Sequence, residues 1–288
     1  MVDRSFGWVA RLACTVRAVV LWRALLLLPV FLFLAALLLW PYIEIISGTV
    51  AGWSASLKVL SSSALLWRNI VNTVLISLAA MLVTTVLAYV LAFMAWMTGP
   101  RARLMVFAFV LLPFWTDVLV KNFAWIELLR DNGIINDFLM WAGVIHEPLH
   151  LLHTRFAVIV GMVHYCLPYA FFPIFAVLLP IDKRLDRAAV SLGAGRWSRA
   201  RLVLLPLSLS GILASSLLTF IISVGFFITP VLLGGPGDQM ISNAIDYYQS
   251  KLVDFHAASF LALGVSLVVT VLVFVYQRIP AEGQHASA

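Results

Sequence analysis

The 288-residue chain is 63% hydrophobic and only 11% charged, with a formal net charge of +6, and its mean hydropathy is +1.03. So much apolar surface excludes an ordinary soluble domain and requires lipid as the solvent. The basic excess calls for no nucleic acid as partner, because the cations collect beside apolar runs, where anionic headgroups and the cytoplasmic charge bias expect them.

A hydrocarbon core of about 30 Å takes roughly 20 mostly apolar residues in a helix. Six stretches fit: Ala24 to Tyr42, Ile70 to Met97, Leu104 to Val120, Phe156 to Leu179, Leu207 to Leu233 and Ala257 to Tyr276. They are long and continuously apolar, unlike the short alternating segments of a β-barrel. The expectation is an all-α integral membrane protein, a single membrane domain over residues 1–288 with six transmembrane helices. The first stretch reads as a span rather than a cleaved leader, since Trp40 and Tyr42 anchor its far end and no small-residue cleavage site follows closely. Cys14 and Cys166 fall on different segments, so no disulfide is expected.

Six spans put both termini on one side. With the termini inside, the cytoplasmic segments hold Arg4, Arg11, Arg17, Arg23, Arg101, Arg103, the six cations from Lys183 to Arg201, and Arg278. That is thirteen of the 19 Lys and Arg residues, and the positive-inside bias therefore orients the chain N-in, C-in.

Asp117 ends the third stretch. An acid at membrane depth is a candidate solute contact, yet Lys121 stands four residues on and can instead pair with it at the interface. From Lys121 to Arg155 runs the longest external segment, in which Asn132, Gly133, Asn136 and Pro148 interrupt apolar residues such as Trp125, Leu129 and Trp141; short interfacial helices are expected there. Within it, His146-Glu147-Pro148-Leu149-His150 matches the two-histidine zinc pattern. That chemistry needs a helix, which Pro148 disfavours, so no metal site is assigned.

On the fourth span Tyr165, Tyr169 and Phe172 share a face, with His164 beside them and Pro168 able to kink the helix and free carbonyls. Such a stripe packs a helix. For an organic cation, however, each aromatic face also offers about 0.5–2 kcal/mol without water. Asp117, His164, Tyr165, Tyr169 and Phe172 are thus the candidate solute pathway.

Between spans four and five, residues 181–206 form a helix-turn-helix knuckle. Asp182 caps a short helix in which Leu185, Ala188, Ala189 and Leu192 make one narrow apolar face, and Gly193 ends it. A second amphipathic piece runs from Trp197 to Leu205, with Arg196, Arg199 and Arg201 able to reach headgroups and Pro206 suited to the next first turn. The knuckle is an ordinary basic loop or a docking element whose small residues let another surface approach. In span five Gly211, Ser215, Thr219 and Ser223 recur every four residues, a small-residue stripe of the kind that forms helix interfaces in lipid, within this chain or with a partner chain. Gly234-Gly235-Pro236-Gly237 lacks the lysine and following helix of a phosphate loop. ATP and Mg²⁺ therefore have no site on this chain, and any pump must carry its ATPase on a separate polypeptide.

The segment from Arg187, Ala188 and Ala189 through Leu192, Gly193 and Ala194, followed by Leu204-Leu205-Pro206-Leu207, resembles the EAA loop of ABC importer permeases, the family's ATPase-coupling element. Arg187 stands where the loop's namesake glutamate would be, and Ala200 where an aromatic is usual. Pro113-Phe114-Trp115-Thr116, Ala124-Trp125-Ile126, Asn132-Gly133-Ile134-Ile135-Asn136, Arg155-Phe156-Ala157-Val158 and Leu232-Leu233-Gly234-Gly235-Pro236 are similar to landmarks of the spermidine/putrescine-type permeases. The resemblance covers about four fifths of the chain. It implies the type I importer permease fold, a second similar permease, ABC ATPase subunits and an external solute-binding protein, with the non-catalytic permease alternating between outward and inward shapes. Polyamine leads as cargo; other small organic or phosphonate-like solutes, or iron, are alternatives, as is a membrane scaffold or intramembrane enzyme without transport.

The charge asymmetry makes a topology test available. A reporter fused after Arg278 should read cytoplasm, and one inserted near His150 should read the outside. The reverse pattern would contradict the orientation.

Overall fold

The computed structural model describes residues 6–278. Arg4 lies outside the described residues, as do the side chains of Arg11, Cys14, Arg17, Arg23, Arg196 and Ala200. Among the described residues there are helices and connecting turns and no strand, as the long apolar runs dictate.

The first helix, α1 (Phe6–Ala51), carries Pro29 and Pro41 in its interior, and residues 28–47 of it lie unburied on the outside of the bundle. It packs along the last helix, α14 (Phe255–Gln277), together with the short α2 (Trp53–Ser62). There His256 Nδ1 meets the Gly48 carbonyl at 2.8 Å, and Trp53 meets Phe260 edge-on at 5.4 Å.

The centre is built from α3 (Ala64–Met97), α7 (Arg155–Leu178) and α11 (Leu209–Val224), which pack mutually. Lipid supplies no hydrophobic force between helices, so small residues must allow backbones to approach. On α3 these are Ala80, Ala88, Ala92 and Ala95, and on α11 they are Gly211, Ser215, Thr219 and Ser223, all buried. The α11 stripe faces α7 of the same chain: a Cβ built on Gly211 would come within 2.8 Å of the Pro173 carbonyl oxygen and 3.1 Å of the Ile174 Cα. At the other end Ser223 Oγ lies 3.9 Å from Cys166 Sγ. The stripe is thus an internal interface rather than one with a second permease.

Two stretches read as straight spans are broken. After α4 (Pro100–Leu111) the chain makes one tight turn, Pro113–Trp115, and then bends by 103° into α5 (Val118–Leu129) and α6 (Ile134–Trp141). Pro113 cannot donate to the turn before it, and Asp117 starts the new helix by accepting from the Leu119 N–H at 2.7 Å. Residues 118–120 therefore belong to the external helix rather than to span three. Likewise α11 ends at Val224, and residues 228–233 form a separate helix, α12 (Ile228–Leu233). A further short helix, α13 (Ile241–Asp246), leads toward α14.

At the opposite end lie α8 (Lys183–Ser191), α9 (Arg196–Arg199) and α10 (Leu205–Leu207), with a wide helical turn over Ala200–Leu204 between the last two.

Gly211 therefore has a steric role in the α11–α7 contact. Gly211→Ala should lower the thermal stability of the detergent-solubilised protein by about 1–3 kcal/mol, the usual cost of overpacking. Gly264→Ala on α14 meets nothing within 4 Å and should leave the melting temperature unchanged or higher. Equal effects at both positions would contradict the close approach of α11 to α7.

Candidate functional site

Two tyrosines one helical turn apart on α7 form the centre of an aromatic group. Tyr165 and Tyr169 stack at 5.6 Å with a 24° interplanar angle. Phe226, just past the end of α11, closes edge-on against Tyr165 at 5.0 Å, and Phe114 from the turn after α4 does the same to Tyr169 at 5.5 Å. Phe172 shares the helix face by spacing but joins a second group with Phe107 and Phe171. Of the expected stripe, then, two rings lie together and the third does not.

Prolines supply polar atoms to the same place. Pro168 and Pro173 both lie within α7, and because proline has no N–H, the carbonyls of His164 and Tyr169 lose their i+4 donors. His164 lies beside Tyr165, but its ring is turned to Trp125, whose Nε1–H donates to His164 Nδ1 at 3.0 Å. An indole nitrogen can only donate, so Nδ1 bears no proton and the imidazole presents N–H at Nε2.

The four-residue spacing leaves Lys121 able to pair with Asp117 at the interface. Among the described residues no ion pair within 4.0 Å joins them. Asp117 spends its carboxylate on the α5 cap, while Lys121 is 8% exposed and holds its Nζ over the Tyr165 ring, 5.0 Å from the centroid. The cation is thus carried into the aromatic group from α5, which the bend at Pro113 to Asp117 aims across the bundle.

A polar latch closes the same end of the bundle. Arg155, the first residue of α7, donates through Nε to Asp238 Oδ1 at 3.2 Å and through Nη2 to Asn72 Oδ1 at 2.8 Å. Asn72 in turn donates to the carbonyls of Gly237 and Gln239 at 2.7 and 3.2 Å, and Thr73 Oγ1 accepts from the Ile241 N–H at 2.7 Å. The latch ties the Gly234-to-Gln239 loop to α3 and α7. Asn72, Thr73 and Asp238 were not singled out from sequence, where Arg155 entered only as the end of the external segment and the first residue of the Arg155-Phe156-Ala157-Val158 landmark. A buried asparagine inside an apolar run was the available signal. Nearby, His150 pairs with Asp131 at 3.0 Å, and residues 145–152 are not helical.

At the other end, Asp182 caps α8 by accepting from the Arg184 N–H at 2.8 Å. Gly193 takes φ +82° just past α8, and the N–H groups of Gly193 and Ala194 close the helix on the Val190 and Ala189 carbonyls at 2.9 and 3.0 Å. This turn leaves an apolar face without cover: Leu185 is 49% and Leu192 88% exposed, Ala188 and Arg187 are exposed, and Ala189 and Ala194 are partly so. Pro206 lies in α10, inside the turn that leads into α11.

Three comparisons bear on this geometry. The spermidine/putrescine transport system permease protein PotB of Haemophilus influenzae is 32% identical over 209 residues, covering 72% of this chain and 72% of that one. The protein of the same name from Escherichia coli is 28% identical over 214 residues, covering 74% and 78%, and the E. coli inner membrane ABC transporter permease protein YdcU is 30% identical, covering 72% and 70%. Among solved structures, a chain of a bacterial alginate ABC transporter in complex with its alginate pentasaccharide-bound periplasmic protein superposes with a TM-score of 0.76 at 20% identity, over 92% of this chain and 96% of that one. At that identity it speaks to the fold alone. The family model of the binding-protein-dependent transport system inner membrane component matches residues 93–281, which take in the end of α3, the aromatic group, the knuckle and the loop after α12, and the chain belongs to that family.

Proposed function

We propose that this chain, a multi-pass, non-catalytic permease subunit of an inner-membrane ABC importer, passes polyamine-type organic cations along the Tyr165 and Tyr169 faces of α7. The observation that carries this reading is the Lys121 ammonium on the Tyr165 ring at 5.0 Å. A polyamine ends in the same chemical group. A face that holds one primary ammonium away from water has the size and quadrupole to hold another. The His164 and Tyr169 carbonyls released by the two prolines add acceptors for the ammonium hydrogens, and the Asp117 carboxylate lies one helical turn from Lys121. The 28–32% identity to the spermidine/putrescine permeases points the same way.

The partners follow from what this chain has and lacks. An external binding protein delivers the solute, a second permease subunit completes the passage, and separate ATPase chains hold ATP and Mg²⁺. The exposed Leu185, Ala188, Leu192 face of α8, ended by the Gly193 turn, is the surface on which the ATPase docks. ATP can drive the change of shape only through contacts that differ between the two states, so this face moves with the ATPase dimer. Lipid covers the remaining apolar exterior.

The test is uptake of labelled spermidine and putrescine into proteoliposomes holding the assembled complex and its loaded binding protein. Wild type should accumulate both. Ala189→Trp adds bulk where the ATPase approaches, and Gly193→Val forces a β-branched residue to φ +82°, at roughly 1–2 kcal/mol or more. Both should stop uptake and either release the ATPase or make its activity independent of the loaded binding protein. Gly195→Ala, which meets nothing within 4 Å, is the control and should transport normally. Wild-type uptake and ATPase association in both knuckle variants would contradict the docking role, and absence of polyamine uptake by wild type would contradict the cargo.

A further inference from the structure

Lys121 is a lysine in an unusual position. Its side chain is buried on α5, and burying an ammonium is costly unless it is paired. Among the described residues no carboxylate lies within 4.0 Å of it; its neighbours are the Tyr165 ring and, next along α7, the neutral His164 imidazole that accepts from Trp125. Weak neutral contacts on a flexible four-carbon stem can be exchanged. The nearest alternative partner, Asp117, stands at the i−4 position of the same helix, the spacing at which a lysine reaches a carboxylate along a helix surface.

A single ring face cannot hold two ammonium groups at once. From this geometry, and resting on the cationic-cargo reading above, we infer that Lys121 is a tethered stand-in for the cargo: it occupies the Tyr165 face when the passage is empty and withdraws toward Asp117 when a cargo ammonium arrives. It is a specificity-determining residue. A solute with one amine merely trades one cation for another on the ring and gains little. A solute with two or more amines displaces Lys121 with one and keeps the contacts of the others, with the Tyr169 face and the freed carbonyls next in line. Lys121 therefore filters monoamines from polyamines and keeps the empty passage from binding stray cations.

The experiment uses the intact complex of both permeases and the ATPase, without binding protein, and measures binding of labelled spermidine and of labelled n-butylamine by equilibrium dialysis. Wild type should bind spermidine weakly and butylamine not measurably. Lys121→Met keeps the side-chain volume and vacates the ring, so it should tighten spermidine binding by roughly two- to thirtyfold, the range of one cation–aromatic contact, and should make butylamine binding measurable. Lys121→Arg restores a cation able to stack and should behave as wild type. Tyr165→Leu added to Lys121→Met should abolish the gain.

Unchanged or weaker spermidine binding in an assembled Lys121→Met complex overturns the inference. Assembly is read first, with Lys121→Gln as the second neutral variant; if neither assembles, Lys121 is a structural cation and the inference is overturned as well. Loss of a bound acidic solute in Lys121→Met would assign the lysine to anion capture and overturn it too. Uptake of spermidine by the wild-type complex with its loaded binding protein separates the two claims. Uptake with unchanged Lys121→Met binding sinks only the stand-in role, and no uptake sinks the cationic cargo with it.

Discussion

The contact on which the other features depend is the close approach of α11 to α7. In lipid, a helix pair has no hydrophobic gain from association, and what remains is packing of small surfaces and polar contacts between them. Gly211 opposite the Pro173 carbonyl lets the backbones approach, and Ser215, Thr219 and Ser223 continue the stripe into the core. This fixes where α11 ends. Two residues past its last turn, Phe226 lands on Tyr165, and its N–H donates to the carbonyl of Ser223, the last residue of the stripe, at 3.2 Å, so the stripe sets the depth of the aromatic group. The third central helix, α3, brings Asn72 and Thr73 to the same end, where the Arg155 latch anchors the loop after α12.

The two ends of the bundle contrast in a way that suits a machine driven from one side. Around Arg155 and Asn72 the polar side chains are partnered and the backbone is tied at several points. Around α8 the chain presents uncovered leucine and alanine beyond a glycine turn that only a residue free to adopt positive φ closes easily. An exposed apolar face beside a membrane is a surface waiting for a protein. α8 follows α7, the helix that carries the Tyr165 group, after only four residues.

Composition and run length made the all-helical, membrane-embedded class legible, because each span is a local signal that needs no knowledge of its neighbours. The cap at Asp182 and the turn at Gly193 were legible for the same reason. The bend after α4 was written in Pro113 and Asp117, but hydropathy averaging runs straight through both. What stayed hidden depends on residues distant in sequence. Arg155 meets both Asn72 and Asp238 across 83 residues, and Lys121 reaches Tyr165 only because α5 turns by 103° from the preceding helix. Spacing along one helix allowed the Asp117 to Lys121 pair; the helix cap took Asp117 and tertiary placement gave Lys121 the Tyr165 ring. Spacing also grouped Phe172 with the two tyrosines, whereas Phe107 from α4 draws it into another cluster.

The central claim is that a cationic solute crosses on the Tyr165 and Tyr169 faces. Its most direct measurement is spermidine uptake by proteoliposomes in which both tyrosines are replaced by leucine, with ATPase activity read in the same vesicles. The account predicts that uptake falls by at least about fivefold, the loss of two aromatic contacts of roughly 0.5–2 kcal/mol each, while the loaded binding protein still stimulates ATP hydrolysis. Uptake at the wild-type rate in an assembled complex with the tyrosine rings gone would contradict it.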